Sequence, residues 1–293
     1  MTDAATVERQ GARRTRWSAV RGTMRQQPVA FVGLVVLLVI ILVSLFPGLF
    51  ATADPLALDL PNQLLPPNAQ NVFGTDELGR DIYSRVIHGT GLTMLSGFGV
   101  VAISAVVGTA LGLIAGQRGG IVDGLIMRLS DIFLSFPVLI MALAVVAFLG
   151  PSLLNATIAV TIVWWPQYSR LVRGQVLSLR EYPFIEAARA VGARDSRILA
   201  QHILPNCLVP IMVKAGIDFS VAILLTASLS FLGVGAQPPS PELGAMVSNG
   251  RGYLLSAWWI TTFPSLVIFL AVLALNLVSD KLRDLLDPRL RVG

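Results

Sequence analysis

The sequence predicts an all-α fold, a polytopic bundle of six transmembrane helices. Three observations carry this. Apolar residues make up 54 % of the chain and charged residues only 13 %, with a mean hydropathy of +0.72; a soluble domain carries roughly a quarter charged residues. The apolar residues gather into long blocks separated by polar stretches. Lys and Arg fall almost wholly in alternate connections between those blocks.

Residues 1–27 form a basic tail carrying Arg9, Arg13, Arg14, Arg16, Arg21 and Arg25, suited to anionic membrane lipid and to marking the cytoplasmic side. The first span lies within 28–50, where 31–46 is apolar apart from Gly33 and Ser44. Ala51-Thr52-Ala53 mimics a signal-peptidase site, but the apolar run exceeds the about 7–15 residues of a signal core, so the span is read as retained. Residues 51–90 are too polar to span and hold Pro55, Pro61, Pro66 and Pro67. Asp76 reads there as a helix cap and the glycines as tight turns, in a solvated extracytoplasmic segment.

Residues 91–280 supply five more helices. The second span, 92–115, is followed by Gly116. Gly108, Gly112 and Gly116 recur at i, i+4 and i+8, a face on which another helix packs backbone to backbone; lining a channel is the lesser alternative. The third span is expected to be one helix from near Asp123 to Gly150, because 132–168 is too short for two spans and a turn. It carries Arg128 and Asp131 on one face, where an interfacial ion pair and a transport role fit about equally. The fourth begins at 153 and is closed by Trp164, Trp165 and Tyr168 as an aromatic belt. The fifth, 208–232, holds Lys214 and Asp218 one turn apart. Lys214 can snorkel, leaving Asp218 on a cavity face. A polar loop is expected over 236–256, the sixth span over 257–278, and a short amphipathic tail over 281–293.

Six spans put both termini on one side. The tails, the central loop and the turn into the third span hold 18 Lys and Arg residues, and the opposite loops hold three. The positive-inside rule then places both termini and the central loop in the cytoplasm. The net charge of +5 is therefore a topology signal, and nucleic acid is not an expected partner. One cysteine, Cys207, and two histidines, His88 and His202, leave no metal cluster to build. A phosphate loop needs a lysine in a G-x-x-x-x-G-K-[ST] setting, and neither Lys214 nor Lys281 has one. No nucleophile stands in a recognisable catalytic motif. The chain is read as a non-enzyme whose energy comes from a partner or a gradient.

The central loop, 170–206, contains EYPFIEAARAVGARDSRILAQHILP. It reads as a short amphipathic helix of small residues, stopped at Gly192, followed by a second helical run capped by Asp195 or Ser196 and closed by Pro205. Such an elbow outside the membrane is shaped as a plug for another protein's groove. Its spacing, Glu186-Ala187-Ala188, Gly192 and His202-Ile203-Leu204-Pro205, resembles the EAA loop of the membrane subunits of bacterial ATP-driven importers. FGTDELGRDIYSRVIHG, MRLSDIFLSFP, YSRLVRGQVLSL, ASLSFLGVGAQPPSPELG and LRDLLDPRLR extend the resemblance, in order, to the second permease of dipeptide, oligopeptide and nickel importers. Leu243 stands where that family usually has tryptophan, and Ser279-Asp280 where it usually has Gly-Asp.

The resemblance implies a type I importer fold in the bacterial inner membrane. It implies a heterodimer with a homologous permease, two ATPase subunits that hold ATP and magnesium, and an extracytoplasmic solute-binding protein. Glu186, Ala187, Ala188 and Gly192 would dock on an ATPase, and His202, Leu204 and Pro205 would pass its push to the fifth span. Asp76, Arg80, Asp81 and Arg85 would meet the binding protein, with the segment a gate or a docking surface. Asp131, Lys214 and Asp218 are the pathway candidates. Peptide is favoured over nickel as the solute. A proton-linked transporter using Asp218 or Asp131, or a membrane scaffold, are the readings of other classes; uptake by the chain alone under a pH gradient would separate the first from an ATP-driven importer.

Overall fold

The computed structural model describes residues 28–286, so the basic N-terminal tail and the tail beyond 286 lie outside the described residues. Within them the structure is helical, with one isolated backbone bridge between Thr75 and Asp81. Helix α1 (Pro28–Leu45) and the short α2 (Pro47–Phe50) lead into the polar 51–81 segment. Then follow α3 (Ile82–Arg118), α4 (Gly120–Leu134), α5 (Val138–Leu149), α6 (Leu153–Leu179), α7 (Pro183–Ala190), α8 (Asp195–Ile198), α9 (Leu204–Phe231), α10 (Leu243–Gly250) and α11 (Trp259–Leu286).

By length and apolarity, Ile82–Arg118, Asp195–Phe231 and Trp259–Leu285 each suffice to cross a membrane, and α4 with α5 make a fourth crossing if the bent pair counts as one. Helix α1 is apolar but shorter, and α6 is long enough but carries Gln167, Arg170 and Arg173 in its second half. The third span is thus not the single helix expected: α4 and α5 meet at 95°. Pro137 cannot continue the helix and drives Phe136 out of the helical region.

The bundle is built on α3 against α6. A Cβ on Gly108 would lie 2.4 Å from the Trp165 carbonyl oxygen, on Gly112 2.5 Å from that of Ser169, and on Gly116 2.6 Å from the Val176 Cβ. The three glycines let the two backbones touch, and no larger residue fits. One buried cluster runs along α6 through Val160, Trp164, Tyr168, Val172 and Val176 down to Ile185, Ile198 and Ile203. A second joins Leu37, Met94, Ile223 and Leu275, and so clamps α1, α3, α9 and α11.

Three further expectations are corrected. The fifth span does not start at 208 after a break at Pro205. Residues Asp195–Phe231 form one helical run, with a π turn at Leu199–Ile203 where the Leu204 N–H bonds to the Leu199 carbonyl. The widened turn accommodates a proline that has no N–H and whose ring crowds the preceding turn. The 236–256 stretch is not a solvated loop: Leu243, Gly244, Ala245 and Met246 of α10 are buried in the bundle. Finally, α11 runs on to Leu286, since no proline or glycine stands between Val278 and Leu286.

Candidate functional site

The elbow begins where α6 ends. Tyr182 precedes Pro183, whose missing N–H costs nothing in a first turn. At the other end the Ala193 N–H bonds to the Ala188 carbonyl (3.0 Å) and the Gly192 N–H to that of Arg189 (2.9 Å). This double bond pattern is the Schellman stop, and it requires the left-handed φ of +81° at Gly192. A Cβ there would meet nothing within 4 Å, so glycine serves conformation and not space.

Ile185, Ile198 and Ile203 are fully buried beside Val172 and Val176 and pin the elbow to the end of α6. The Arg180 guanidinium adds a bond to the Gly116 carbonyl at 2.8 Å, tying the ends of α6 and α3. The opposite face is open. Glu186, Ala187, Arg189, Ala190 and Gly192 are exposed, Ala188 is half-buried, and Val191 is 84 % exposed. Glu186 in the first turn and Arg189 in the last suit the helix dipole. The expected cap at Asp195 or Ser196 is not made: Arg194 holds the cap position of α8 with no side-chain bond. The His202 ring lies 6.5 Å from that of Phe184, half-buried Leu204 opens α9, and Pro205 is exposed. The elbow therefore continues into the apolar run of α9 through one π turn.

The polar 51–81 segment is built the other way round. Asp76, Arg80, Asp81 and Arg85 are 7 % exposed or less. The Arg80 Nε donates to Asp76 at 2.7 Å and its Nη2 to Glu77 at 3.1 Å. The Arg85 Nε lies 3.5 Å from Asp76, and its Nη1 donates to the Pro55 carbonyl at 2.9 Å. Asp81, not Asp76, caps the helix that follows, accepting from the Ser84 N–H at 2.8 Å. These four charges were expected at a partner surface. Instead Asp76, Arg80 and Arg85 close on one another, and Asp81 is held by the Ser84 N–H and the Asn71 side chain; a buried charge is tolerable only when paired or hydrogen-bonded, and these bonds hold the segment on α3. Gly79 locks the same fold: its φ is +75°, and a Cβ would sit 1.8 Å from the Asp59 carbonyl oxygen.

In the bundle, Lys214 donates to Asp218 at 3.1 Å and to the Gln167 Oε1 at 3.0 Å, with its ammonium 5.3 Å from the centre of the Tyr168 ring. Trp164 Nε1 donates to Asp218 at 3.0 Å. Asp131, on α4, pairs with Arg170 of α6, and Asp123 pairs with Arg173, whose Nη2 is 2.6 Å away. These partners are 39 and 50 residues apart, beyond the reach of any local period. Sequence reasoning also passed over Glu242. Its carboxylate, fully buried, accepts from Thr93 of α3 and from the Ala245 N–H, both at 2.9 Å, and so caps α10. Burial pushes this carboxyl above its ordinary range. The signal available was an acid directly before a short helical run.

Residues 108–292 match the family described as the binding-protein-dependent transport system inner membrane component. Residues 15–67 match the N-terminal transmembrane domain of oligopeptide transport permease C. The chain is 46 % identical over 266 residues to the probable D,D-dipeptide transport system permease protein DdpC of Escherichia coli K12, covering 91 % of this chain and 89 % of that one. It is 45 % identical over 275 residues to the dipeptide transport system permease protein DppC of Alkalihalophilus pseudofirmus, covering 94 % and 90 %. Among solved structures, inward-facing MetNI methionine ABC transporter superposes with a TM-score of 0.55 at 21 % identity, over 69 % of this chain and 96 % of that one, a likeness of fold. The chain belongs to the family of binding-protein-dependent transport inner membrane components, with the N-terminal domain of the oligopeptide permease C type.

Proposed function

We propose that this chain is one of two permeases of an ATP-driven importer for di- or oligopeptides, coupled to ATP hydrolysis through the α7 elbow. The peptide assignment rests on what its relatives are named for, and the coupling assignment on geometry. The observation that carries the latter is a small-residue helix whose apolar side is bolted to the bundle while Glu186, Ala187 and Gly192 stay open. A homologous permease completes the pathway. Two ATPase subunits hold ATP and magnesium, and their closure pushes the elbow, which moves α9 through His202, Leu204 and Pro205. The bundles then rock between inward-open and outward-open states. An extracytoplasmic binding protein delivers the solute. Both termini lie in the cytoplasm of a bacterial cell, on the side marked by the basic loops.

The test is uptake by the assembled importer carrying Glu186→Lys with Gly192→Pro. Insertion in the membrane should persist while peptide uptake no longer follows ATP hydrolysis. Wild-type uptake in that double variant would remove the coupling role.

A further inference from the structure

Charged groups on the second half of α6 and its neighbours form an ordered row that joins the pathway candidates Asp131, Lys214 and Asp218 to Asp123, Gln167, Arg170 and Arg173. Gln167, Arg170 and Arg173 follow one another three residues apart on α6, on neighbouring positions of one face. Each meets a partner from another element. Gln167 accepts from Lys214 of α9 at 3.0 Å, which in turn pairs with Asp218. Arg170 pairs with Asp131 and Arg173 with Asp123, both on α4. The row spans about 9 Å along the helix axis and leads from the middle of the bundle toward the elbow.

Two features separate it from a buried structural network. It is open at one pair and partly open beyond it: the Arg170 and Asp131 side chains are 48 % and 57 % exposed, Arg173 33 % and Lys214 24 %, with Asp123 and Asp218 tucked behind them at 16 % and 7 %. Charges at span level do not face hydrocarbon; they face a bundle interior or a water-filled cavity. It is also balanced, with Lys214, Arg170 and Arg173 against Asp218, Asp131 and Asp123. A lining of one sign would hold peptides of the opposite charge and repel those of its own. A lining of closed pairs offers hydrogen bonds to any peptide and a net field to none.

We propose that Lys214–Asp218, Gln167, Arg170–Asp131 and Arg173–Asp123 line the cytoplasmic half of the solute pathway, and that their charge balance lets the chain pass cationic and anionic peptides alike. This rests on the peptide-import reading. It extends that reading from where energy enters to how the path treats its cargo.

The experiment uses the complete importer in proteoliposomes, with the binding protein saturated, and three dipeptides: neutral, lysine-containing and glutamate-containing. The wild type should import all three. Asp131→Asn leaves Arg170 uncompensated, so uptake of the lysine peptide should drop about tenfold relative to the glutamate peptide. Arg170→Gln should reverse that preference. A reversal of sign is not what a loosened helix contact produces. Equal losses for all three peptides in both variants, or no change in either, would overturn the proposal while leaving peptide import standing. A wild type that imports none of the peptides would instead overturn the import reading, and this proposal with it. As a second readout, Gln167→Cys should react with a charged, water-soluble thiol reagent from the cytoplasmic side, with the buried Cys207 as the unreactive control. Failure to react would place this face against lipid or protein and would also overturn the proposal.

Discussion

The 181–205 elbow and the 51–81 segment look alike in sequence, and the structure builds them in opposite senses. Both are polar stretches between apolar blocks, both turn on a left-handed glycine, and both mix acids with arginines. The elbow buries isoleucines and leaves Glu186 and Arg189 outside. The 51–81 segment buries Asp76, Arg80 and Asp81 against Arg85 of α3 and leaves Leu58 and Leu60 exposed at 65 % and 58 %. A polar motif is therefore not by itself a contact surface. Beside the small apolar contact that Leu64 and Phe73 make with the buried cluster of Ile82 and Trp259, charges that close on one another are buried as part of the segment's core.

Substitutions break this comparison from the largest effect down. Asp76→Ala should be the most severe, because it takes the carboxylate from buried Arg85 and leaves Arg80 with Glu77 alone; a loss of about 3–5 kcal/mol is expected, read as thermal unfolding in detergent. No matching loss is expected from Glu186→Gln. The two glycines come next. Alanine at Gly79 meets the Asp59 carbonyl at 1.8 Å as well as an unfavourable φ, whereas alanine at Gly192 meets open space. Gly192→Ala should therefore cost only the about 1–2 kcal/mol of left-handed backbone, and Gly79→Ala clearly more. Equal costs in the two melts would show that the crowding at Gly79 is relieved by a shift of the loop.

Glu242 adds a smaller, pH-dependent effect. Its folded carboxyl holds a proton more tightly than the unfolded one, owing to burial. Its contribution is then fully present below the ordinary value of 4.5 and is lost as pH rises from there through the raised folded value. The melting temperature should show that downward slope, and Glu242→Gln should flatten it. Least of all, Glu186→Gln should move stability by no more than about 0.5 kcal/mol, with its effect confined to transport.

Much of this was legible in the sequence because it depends on short periods. The glycine face at 108, 112 and 116, the stop at Gly192 and the order of apolar blocks all follow from spacing and backbone preference. What was not legible depends on distant partners. The bend before Pro137 was masked by an apolar count that treated 123–149 as one span. The buried state of Asp76 and Arg80 depends on how the loop closes on Arg85 and Pro55. The pairing of Arg170 and Arg173 with α4 needs the fold to bring residues together across two turns. Glu242 passed unnoticed because its role as a cap shows only once the stretch after it is seen to be helical and buried.

The account rests on the elbow being a joint pressed by a nucleotide-hydrolysing neighbour. The most direct measurement is cross-linking from Ala187→Cys in the assembled complex, with and without ATP. The account predicts a covalent product with an ATPase subunit and protection of that position from water-soluble thiol reagents. An Ala187→Cys side chain that forms no such product, and that reacts freely with the reagent in the intact complex in both nucleotide states, would contradict it.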